Sequence, residues 1–245
     1  MYSFNKSLES GLIQDDLKVA DVTSIFKKET KSDPGNHRPV SLTCVACKLL
    51  ESFARDAVVE HMADNSLYSE CQHGFRKHRS CVTQLLKVME DFTQLINNGN
   101  PVDVVYLDFE KAFDTAPHQR LMCKLASYGI ISNICNWIED FLSNKSRKVR
   151  VGKNWSKKAE VLSRIPQGSV LVPLLFRNFI NNLPECVQSC CNVFVDGTKI
   201  YDSACNCTKI EEDIYKVQEW PDMWNLYFNV TKCKVMHKGR KKRRS

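Results

Sequence analysis

The feature that most constrains this chain is the segment VDVVYLDF, residues 102–109, a nearly continuous run of β-branched, aromatic and other apolar side chains. Such a run predicts a strand that is buried on both faces. Asp108 stands near the end of this strand. A carboxylate in that position is costly unless a cation or hydrogen bonds stabilise it, so Asp108 is the first candidate for a functional site.

A second candidate carboxylate comes from the segment NVFVDGTKIYDS, residues 192–203. It predicts two short strands around Asp196-Gly197, a dipeptide typical of tight hairpins, so that the tip presents Asp196. If this hairpin and the strand of Asp108 are neighbours in one sheet, the two carboxylates converge. Such oxygen ligands suit Mg²⁺, and a pair of these ions can assist phosphoryl transfer. Acidic residues are also common in surface turns, so spacing alone leaves an ordinary turn as the alternative.

The rest of the chain alternates helical and strand patterns without internal repeats, which predicts an α/β or α+β layer structure. Helices are predicted at about 44–63, 79–97, 118–128, 132–142 and 208–226, the last one broken at Pro221, and strands at about 147–152, 158–163 and 234–236. The helix at 79–97 carries an apolar stripe that we expect in the core: Val82, Leu85, Leu86, Met89, Phe92 and Ile96.

Composition and charge set the class of protein. The chain has 245 residues, of which 43% are hydrophobic and 26% charged, as in ordinary globular proteins. It contains no apolar run of the length that a membrane span needs, and its N-terminus is charged where a signal peptide is apolar. We therefore expect an intracellular protein of the nucleus or cytoplasm, neither secreted nor bound to a membrane.

The net charge of +7 is concentrated at the C-terminus. Six of the 35 Lys and Arg residues lie in the last eight positions, which leaves 29 against 28 Asp and Glu for the rest of the chain. Residues 238–245 are therefore predicted to form a basic disordered tail. Such a run is typical of nuclear-localisation or nucleic-acid-binding segments, and a solvated end without a role is equally compatible with it.

Six segments along the chain resemble, in order and approximate spacing, the motifs of reverse transcriptases from LINE-type (non-LTR) retrotransposons, with the jockey-like elements the most similar. The segments are HRPVSL (37–42), HGFRKHRS (73–80), VVYLDFEKAFDTAPH (104–118), RIPQGSVLVPLLF (164–176), FVDGTKIY (194–201) and FNVTKCKVM (228–236). The resemblance implies an α+β right-hand polymerase fold with fingers and a palm, whose antiparallel ferredoxin-like sheet is backed by helices. It further implies a fingers-like region at 1–100, a palm-like catalytic region at 101–237, and a thumb that is absent or incomplete.

The resemblance also implies an activity, RNA-directed DNA polymerisation, in which two Mg²⁺ ions assist transfer of a nucleotide to a primer 3′-hydroxyl. The expected partners are an RNA template, a DNA primer and deoxynucleotide triphosphates, with no obligate protein partner. Asp108 and Asp196 resemble the catalytic carboxylates that bind the metal. Lys232 resembles a distal palm lysine that protonates the leaving pyrophosphate.

Several further residues resemble those that hold the incoming nucleotide. Arg38 and a lysine of the pair Lys27 and Lys28 resemble finger residues that bind the triphosphate. Phe113 resembles an aromatic gate beneath the sugar, and Gln167 and Gly168 resemble a loop that packs on nucleotide and template. Without the resemblance these residues are ordinary surface cations, a core aromatic and a Pro-Gln-Gly turn.

Three positions depart from the family pattern. Gly197 stands where active relatives have a second aspartate, which leaves two carboxylates where three are expected and gives the hairpin tip extra backbone freedom. Arg164 and Val172 stand where relatives usually have glycine, and we expect their side chains to block a close approach or to force an unsuitable φ. The sequence thus predicts a reverse transcriptase domain with impaired activity. The alternatives are a non-catalytic nucleic-acid-binding module and an inactive retroelement relic.

Overall fold

The computed structural model describes residues 2–26, 30–33, 36–76, 78–110, 112–131, 133–143, 145–161 and 168–239. Backbone contacts divide the chain into two compact units, each built from two segments. The first unit comprises Met1–Leu67 and Phe113–Leu175, and the second comprises Tyr68–Ala112 and Phe176–Ser245. The expected boundary between residues 100 and 101 therefore falls inside the second unit, and the division into fingers-like and palm-like regions remains a prediction.

The first unit contains a mixed five-stranded sheet and several helices. Its elements are α1 (Tyr2–Ser10), β1 (Val19–Phe26), β2 (His37–Leu42), α2 (Val45–Asp64), α5 (His118–Ser127), α6 (Asn133–Leu142), β4 (Lys145–Val151), β5 (Asn154–Trp155) and β6 (Ala159–Val161). Strand β1 pairs antiparallel with β2 and parallel with β4, which in turn pairs antiparallel with β5 and β6. Helix α2 buries Leu50, Ala54, Val58 and Met62, spaced so that they share one face of the helix.

The second unit is built on an antiparallel four-stranded sheet. Its elements are α3 (Cys81–Asn97), β3 (Val102–Asp108), β7 (Cys190–Phe194), β8 (Gly197–Ser203), α8 (Cys207–Trp224) and β9 (Lys234–Lys238). The strand order is β7-β8-β3-β9, with β3 between β8 and β9, and every pair is antiparallel. This order is that of a ferredoxin-like fold, so the predicted α+β class and palm-type sheet are confirmed. Two short helices, α4 (Ala112–Thr115) and α7 (Val172–Phe179), contain points where the chain passes between the units.

Helix α3 begins where the sequence predicts, but it turns a different face to the core. Ser80 caps it through reciprocal hydrogen bonds with Thr83. The buried residues are Gln84, Val88 and Phe92, and the last two pack with β3 and Tyr201 of β8. Five residues of the predicted core stripe are instead at least one third exposed: Val82, Leu85, Leu86, Met89 and Ile96. Apolar residues occupy two adjacent faces of this helix, and periodicity alone does not tell which face is covered.

Helix α8 continues through Pro221, contrary to the predicted break. A proline inside a helix removes one hydrogen bond and crowds the preceding turn, at a cost of about 3 kcal/mol. Aromatic packing on both sides of the proline offsets that cost: the rings of Trp220 and Trp224 lie 6.1 and 5.6 Å from that of Phe179. The helix ends at Trp224, and the next residue, Asn225, caps it with a φ of +53°. In the part of the chain that the structure describes, neither this helix nor any other is long and apolar enough to cross a membrane.

Candidate functional site

Asp108 is the last residue of β3, as the sequence predicts, and hydrogen bonds fix both its main chain and its side chain. Its backbone carbonyl accepts a hydrogen bond of 2.7 Å from the amide of Asn229. Its Oδ2 lies 2.8 Å from Nζ of Lys232, and its side chain is 29% exposed. The segment after helix α8 therefore crosses the end of β3 and brings a lysine to this carboxylate.

Strands β7 and β8 form the predicted hairpin, but its turn is displaced by one residue. Phe194 pairs with Gly197, so the two turn residues are Val195 and Asp196 rather than Asp196 and Gly197. Val195 has a φ of +57°, a conformation that a β-branched residue rarely adopts. Asp196 stands in the turn as predicted.

Gly197 is the first residue of β8 and pairs directly with Asp108 on β3. The expectation that this glycine lends freedom to the hairpin tip is therefore wrong, because it lies in a strand and its φ is not positive. Apart from its chain neighbours, the one described atom within 4 Å of a Cβ built at this position is the carbonyl oxygen of Phe194, at 3.6 Å. Directly opposed residues of an antiparallel pair project from the same face of the sheet. An aspartate here would thus have room for its Cβ, and its side chain would leave the same face as that of Asp108.

Lys232 is held by the negative charge of the site. Its hydrogen bond to Asp108 raises the pKa of the ammonium group above the usual lysine value, and the charge of Asp196 adds to this effect. The lysine therefore stays protonated at neutral pH and offsets part of the charge of the two carboxylates. Its side chain is 60% exposed, so this ion pair is open to water.

The segment from Cys71 to Phe75 supports the hairpin, a role that sequence reasoning missed. The amide of Val193 donates to the carbonyl of Cys71, and the amide of His73 donates to the carbonyl of Val193. A Cβ at Gly74 would lie 2.7 Å from the backbone nitrogen of Val195 and 2.9 Å from its Cγ2. Only a glycine permits this approach. The position of Gly74 within the motif HGFRKHRS could have marked it as a residue of interest, but the sequence does not show which atoms the glycine contacts.

Arg177, a guanidinium in an otherwise apolar stretch, is buried with hydrogen-bond partners for both terminal nitrogens, whereas its buried Nε has none among the described residues. It is 2% exposed and donates hydrogen bonds to the carbonyl of Phe75 and to the hydroxyl of Tyr68. The guanidinium also lies over the ring of Tyr68, 4.1 Å from its centroid. The residue thus ties helix α7 to the segment that supports the hairpin.

In the first unit, the loop before helix α7 is held by a buried carboxylate. Gly168 has a φ of +110°, and a Cβ there would lie 2.4 Å from the carbonyl oxygen of Ser41. Glu51 of helix α2, fully buried, accepts hydrogen bonds from the hydroxyl of Ser169 and from the amides of Val170 and Leu171. Glycine at 168 is therefore required both by its φ and by its close contact. Glu51 was not predicted, since nothing in its own surroundings along the chain marks it.

The unsuitable φ expected at Val172 is not present, whereas the expected blocking of a close approach stays a prediction. Val172 is the first residue of helix α7 and is 2% exposed, and its φ is not positive. Its side chain is part of the core and forces no unsuitable backbone conformation. Arg164 and Gln167 lie outside the described residues, so their predicted roles are neither supported nor contradicted.

The remaining predicted nucleotide-binding residues belong to the first unit or lie outside the described ranges. Lys27 and Lys28 are outside the described residues. Arg38 lies in β2 and Phe113 in α4, and only their backbones are described. Their predicted contacts with a nucleotide stay predictions.

The oxygen donors at the end of β3 do not fit the pair of Mg²⁺ ions that the resemblance implies. Asp108 and Asp196 supply two carboxylates, and one of these is bonded to Lys232. Gly197, which pairs with Asp108, supplies no ligand. Within the described ranges, no group of three or more His, Cys, Asp or Glu residues is placed to hold a metal ion. Two clustered divalent cations need more negative charge than this.

Comparison of the sequence with known proteins gives one family over almost the whole chain. Residues 26–244 match the family model described as "Reverse transcriptase (RNA-dependent DNA polymerase)". Two similar proteins of Drosophila melanogaster are the "Probable RNA-directed DNA polymerase from transposon X-element", 26% identical over 88% of this chain, and the "RNA-directed DNA polymerase from mobile element jockey", 24% identical over 94%. The chain spans about a quarter of the length of these relatives, 25% and 26% respectively.

Solved structures show the same fold at low sequence identity. An apo telomerase from Candida tropicalis, truncated from its C-terminal domain, superposes with a TM-score of 0.66 at 11% identity, over 94% of this chain and 52% of the other. A telomerase from Candida albicans in complex with a fragment of telomeric RNA gives 0.67 at 9% identity, over 100% of this chain and 46% of the other. The sheet order, the matched residues and these relatives agree, and the chain belongs to the reverse transcriptase (RNA-dependent DNA polymerase) family.

Proposed function

We propose that this chain is the reverse transcriptase domain of a jockey-like, non-LTR retrotransposon protein in which Gly197 impairs nucleotidyl transfer. The reaction of the intact site would add deoxynucleotides to a DNA primer 3′-hydroxyl opposite an RNA template. Enzymes of this family use divalent metal ions, and Mg²⁺ is the ion that carboxylate ligands and substrate phosphates favour. Because the chain covers about a quarter of its relatives, this activity is proposed for the domain within a longer protein.

The observation that carries the proposal is the pairing of Gly197 with Asp108 across β8 and β3. With Asp108, Asp196 and the ammonium of Lys232, the site has a formal charge of −1. An aspartate at 197 would make it −2. Since Coulomb attraction grows with that charge, the missing carboxylate weakens retention of cations beyond the loss of one ligand. Without a carboxylate at position 197, the residues present do not complete the metal site that nucleotide transfer needs.

Lys232 has a defined place in the proposal. Its ammonium holds a proton at Nζ and is bonded to Asp108, so it neutralises a carboxylate that a metal ion would otherwise use. Its family role, protonation of leaving pyrophosphate, would require the bond to Asp108 to open.

Primer extension on an RNA template tests the proposal through a pair of substitutions of nearly equal size. Gly197→Asp restores the carboxylate, and Gly197→Asn adds a similar side chain without the charge. We expect no extension from the natural chain or from the Asn variant, and Mg²⁺-dependent extension from the Asp variant that Asp108→Asn abolishes. The rate of the Asp variant should exceed any residual rate of the natural chain by about a hundredfold or more, because even residues that only orient a metal ligand contribute about 10- to 100-fold.

A measurement without catalysis separates the metal site from the reaction. Mn²⁺ binding, followed by electron paramagnetic resonance, should tighten in Gly197→Asp and not in Gly197→Asn. Extension by the natural chain that Asp108→Asn removes would overturn the claim of impairment. Tighter Mn²⁺ binding without extension would show that the lesion is not confined to residue 197. That result would favour the alternatives of a non-catalytic nucleic-acid-binding module or an inactive relic.

A further inference from the structure

Positive charge is concentrated in one part of the first unit, far from the C-terminal tail in sequence. Residues 145–158, which contain β4 and β5 and which we call the basic hairpin, include seven Lys and Arg and no Asp or Glu. The body of the chain is nearly neutral on average, so this segment stands out against its surroundings. A cluster of cations on one surface is the electrostatic footprint of a polyanion-binding site.

Most of these cations face solvent. Lys148, Arg150, Lys153, Lys157 and Lys158 are exposed. The strands that pair with β4 carry the acidic residues Asp21, opposite Lys148, and Glu160, opposite Ser146. Among the described residues, none of these five cations forms an ion pair with a carboxylate within 4.0 Å. The charge of the basic hairpin is thus available to a ligand.

The basic hairpin also presents an aromatic ring. Trp155 is 49% exposed, and the guanidinium carbon of Arg150 lies 5.5 Å from its ring centroid. Arg150 and Trp155 are direct partners across β4 and β5, which fixes the pair on one face of the sheet. An exposed indole beside a guanidinium is suited to stack an unpaired base while the cation contacts the adjoining phosphate.

A cleft of about 560 Å³ continues this surface onto β1 and β2. Its described lining includes Lys31, His37 and Arg150 and the hydroxyl-bearing residues Thr23, Ser24 and Ser32, and no Asp or Glu. Cations and hydroxyl groups are the side chains that most often contact phosphate oxygens. Trp155 belongs to the adjoining strand rather than to the cleft, so a strand of several nucleotides could reach both.

We propose that the basic hairpin and this cleft form a binding surface for single-stranded nucleic acid, with Trp155 as the base-stacking residue and Arg150, Lys153 and Lys157 as phosphate contacts. This surface includes none of the residues predicted for metal binding or catalysis. It goes beyond the proposed function and does not depend on whether nucleotide transfer survives.

Fluorescence anisotropy on the full chain, without nucleotide or divalent cation, tests the surface. The probes are oligouridylate and oligothymidylate of about 20 nucleotides and a duplex of the same length. Trp155→Ala should weaken binding of both single strands about tenfold, and Trp155→Phe should restore most of that loss. The affinity falls as salt rises. Replacing Arg150, Lys153 and Lys157 with alanine should make the plot of log affinity against log salt less steep by about 2, since each phosphate contact contributes about 0.7 to its steepness.

The matched control removes an exposed aromatic and an exposed cation from another surface. Tyr215→Ala/Lys216→Ala alters neighbouring exposed residues of helix α8, in the second unit, and should leave the binding of all probes unchanged. Circular dichroism of each variant checks the fold. Equal affinities of the natural chain, Trp155→Ala and the triple variant would overturn the proposal. A loss in Trp155→Ala that is equal for duplex and single strands would overturn the stacking role. Either failure leaves the primer-extension test of Gly197 unaffected.

Discussion

At the scale of single residues, Lys145 shows how burial makes stability depend on pH. This lysine is 5% exposed, and its Nζ lies 3.2 Å from the centroid of the Phe141 ring. Burial lowers the pKa of its ammonium group from 10.5 to about 8, while the charge of buried Glu51 acts in the opposite direction. Because the folded-state pKa is below the unfolded one, the unfolded chain holds more protons between about pH 8 and 10.5. The contribution of this group to the free energy of unfolding therefore rises with pH in that window.

We therefore predict that Lys145→Met stabilises the protein most at pH values below 8. Between pH 8 and 10 the gain over the natural chain should shrink by about 1.4 kcal/mol per pH unit, as the folded natural chain loses the proton. Urea unfolding at several pH values under reducing conditions measures the difference, in which other titrating groups cancel. Lys148→Met, at an exposed position of the same strand, is the control and should show no such trend. A gain that stays constant from pH 8 to 10 would contradict burial of the ammonium group as the cause.

Single residues of the candidate site could be predicted only where the neighbouring sequence carries a signal. The positions of Asp108 at the end of β3 and of Asp196 in the hairpin turn were predicted correctly, because an apolar strand and a tight turn leave local signals, while their role in a metal site stays a prediction. Glu51, Gly74 and the bond between Lys232 and Asp108 were not found, since each depends on atoms that are distant along the chain and meet only after folding. Local patterns thus identify a charged group, and tertiary structure determines what neutralises it.

At the scale of elements, the β7-β8 hairpin depends on a glycine from another segment. Gly74 lies beside this hairpin and Gly197 begins its second strand, and neither has a positive φ, so the two differ chiefly in the space around them. A Cβ at Gly74 would lie 2.7 Å from the backbone nitrogen of Val195, whereas the nearest described atom to one at Gly197, its chain neighbours aside, is the carbonyl oxygen of Phe194, at 3.6 Å.

We predict that Gly74→Ala lowers the free energy of unfolding by about 1 to 3 kcal/mol, the usual cost of forcing extra volume into a packed site. Gly197→Ala should be neutral or slightly stabilising, because alanine restricts the unfolded chain and fits the folded one. Urea denaturation gives both values. Amide hydrogen exchange should show faster exchange at Val193 in Gly74→Ala, since its amide bonds to the same segment. Equal stability of the two variants would mean that the hairpin moves freely away from residue 74.

Elements were predicted best where one local signal dominates. The helices near 44–63, 118–128 and 132–142 and the strand of Asp108 agree with the structure to within two residues at most ends. The face of helix α3 and the continuity of α8 through Pro221 were predicted wrongly, since packing partners decide both. Strands β1 and β2 were not predicted, because Pro34, Gly35 and Pro39 give strong turn signals around them. Pairing in a sheet overrides such signals when a neighbouring strand is present.

At the scale of the whole molecule, the average charge conceals two separate basic segments. The basic hairpin combines its cations with an exposed Trp155, whereas residues 240–245, RKKRRS, contain cations and no aromatic residue. Contacts with phosphate alone do not distinguish single-stranded from duplex nucleic acid in the way that base stacking does. The two segments should therefore contribute differently to affinity and to preference for unpaired strands.

We predict that truncation after Gly239 weakens binding of single-stranded and duplex probes by similar factors. The ratio of the affinity for single strands to the affinity for duplex should therefore stay the same. Truncation there removes five cations and leaves β9, which ends at Lys238, intact. In the same anisotropy assay, Arg150→Ala/Trp155→Ala should instead reduce that ratio, because it removes the stacking ring. Combining truncation with the double substitution separates the two effects, whose free energies should add if the segments act independently. Loss of the single-strand preference on truncation alone would show that the tail, and not the hairpin, carries it.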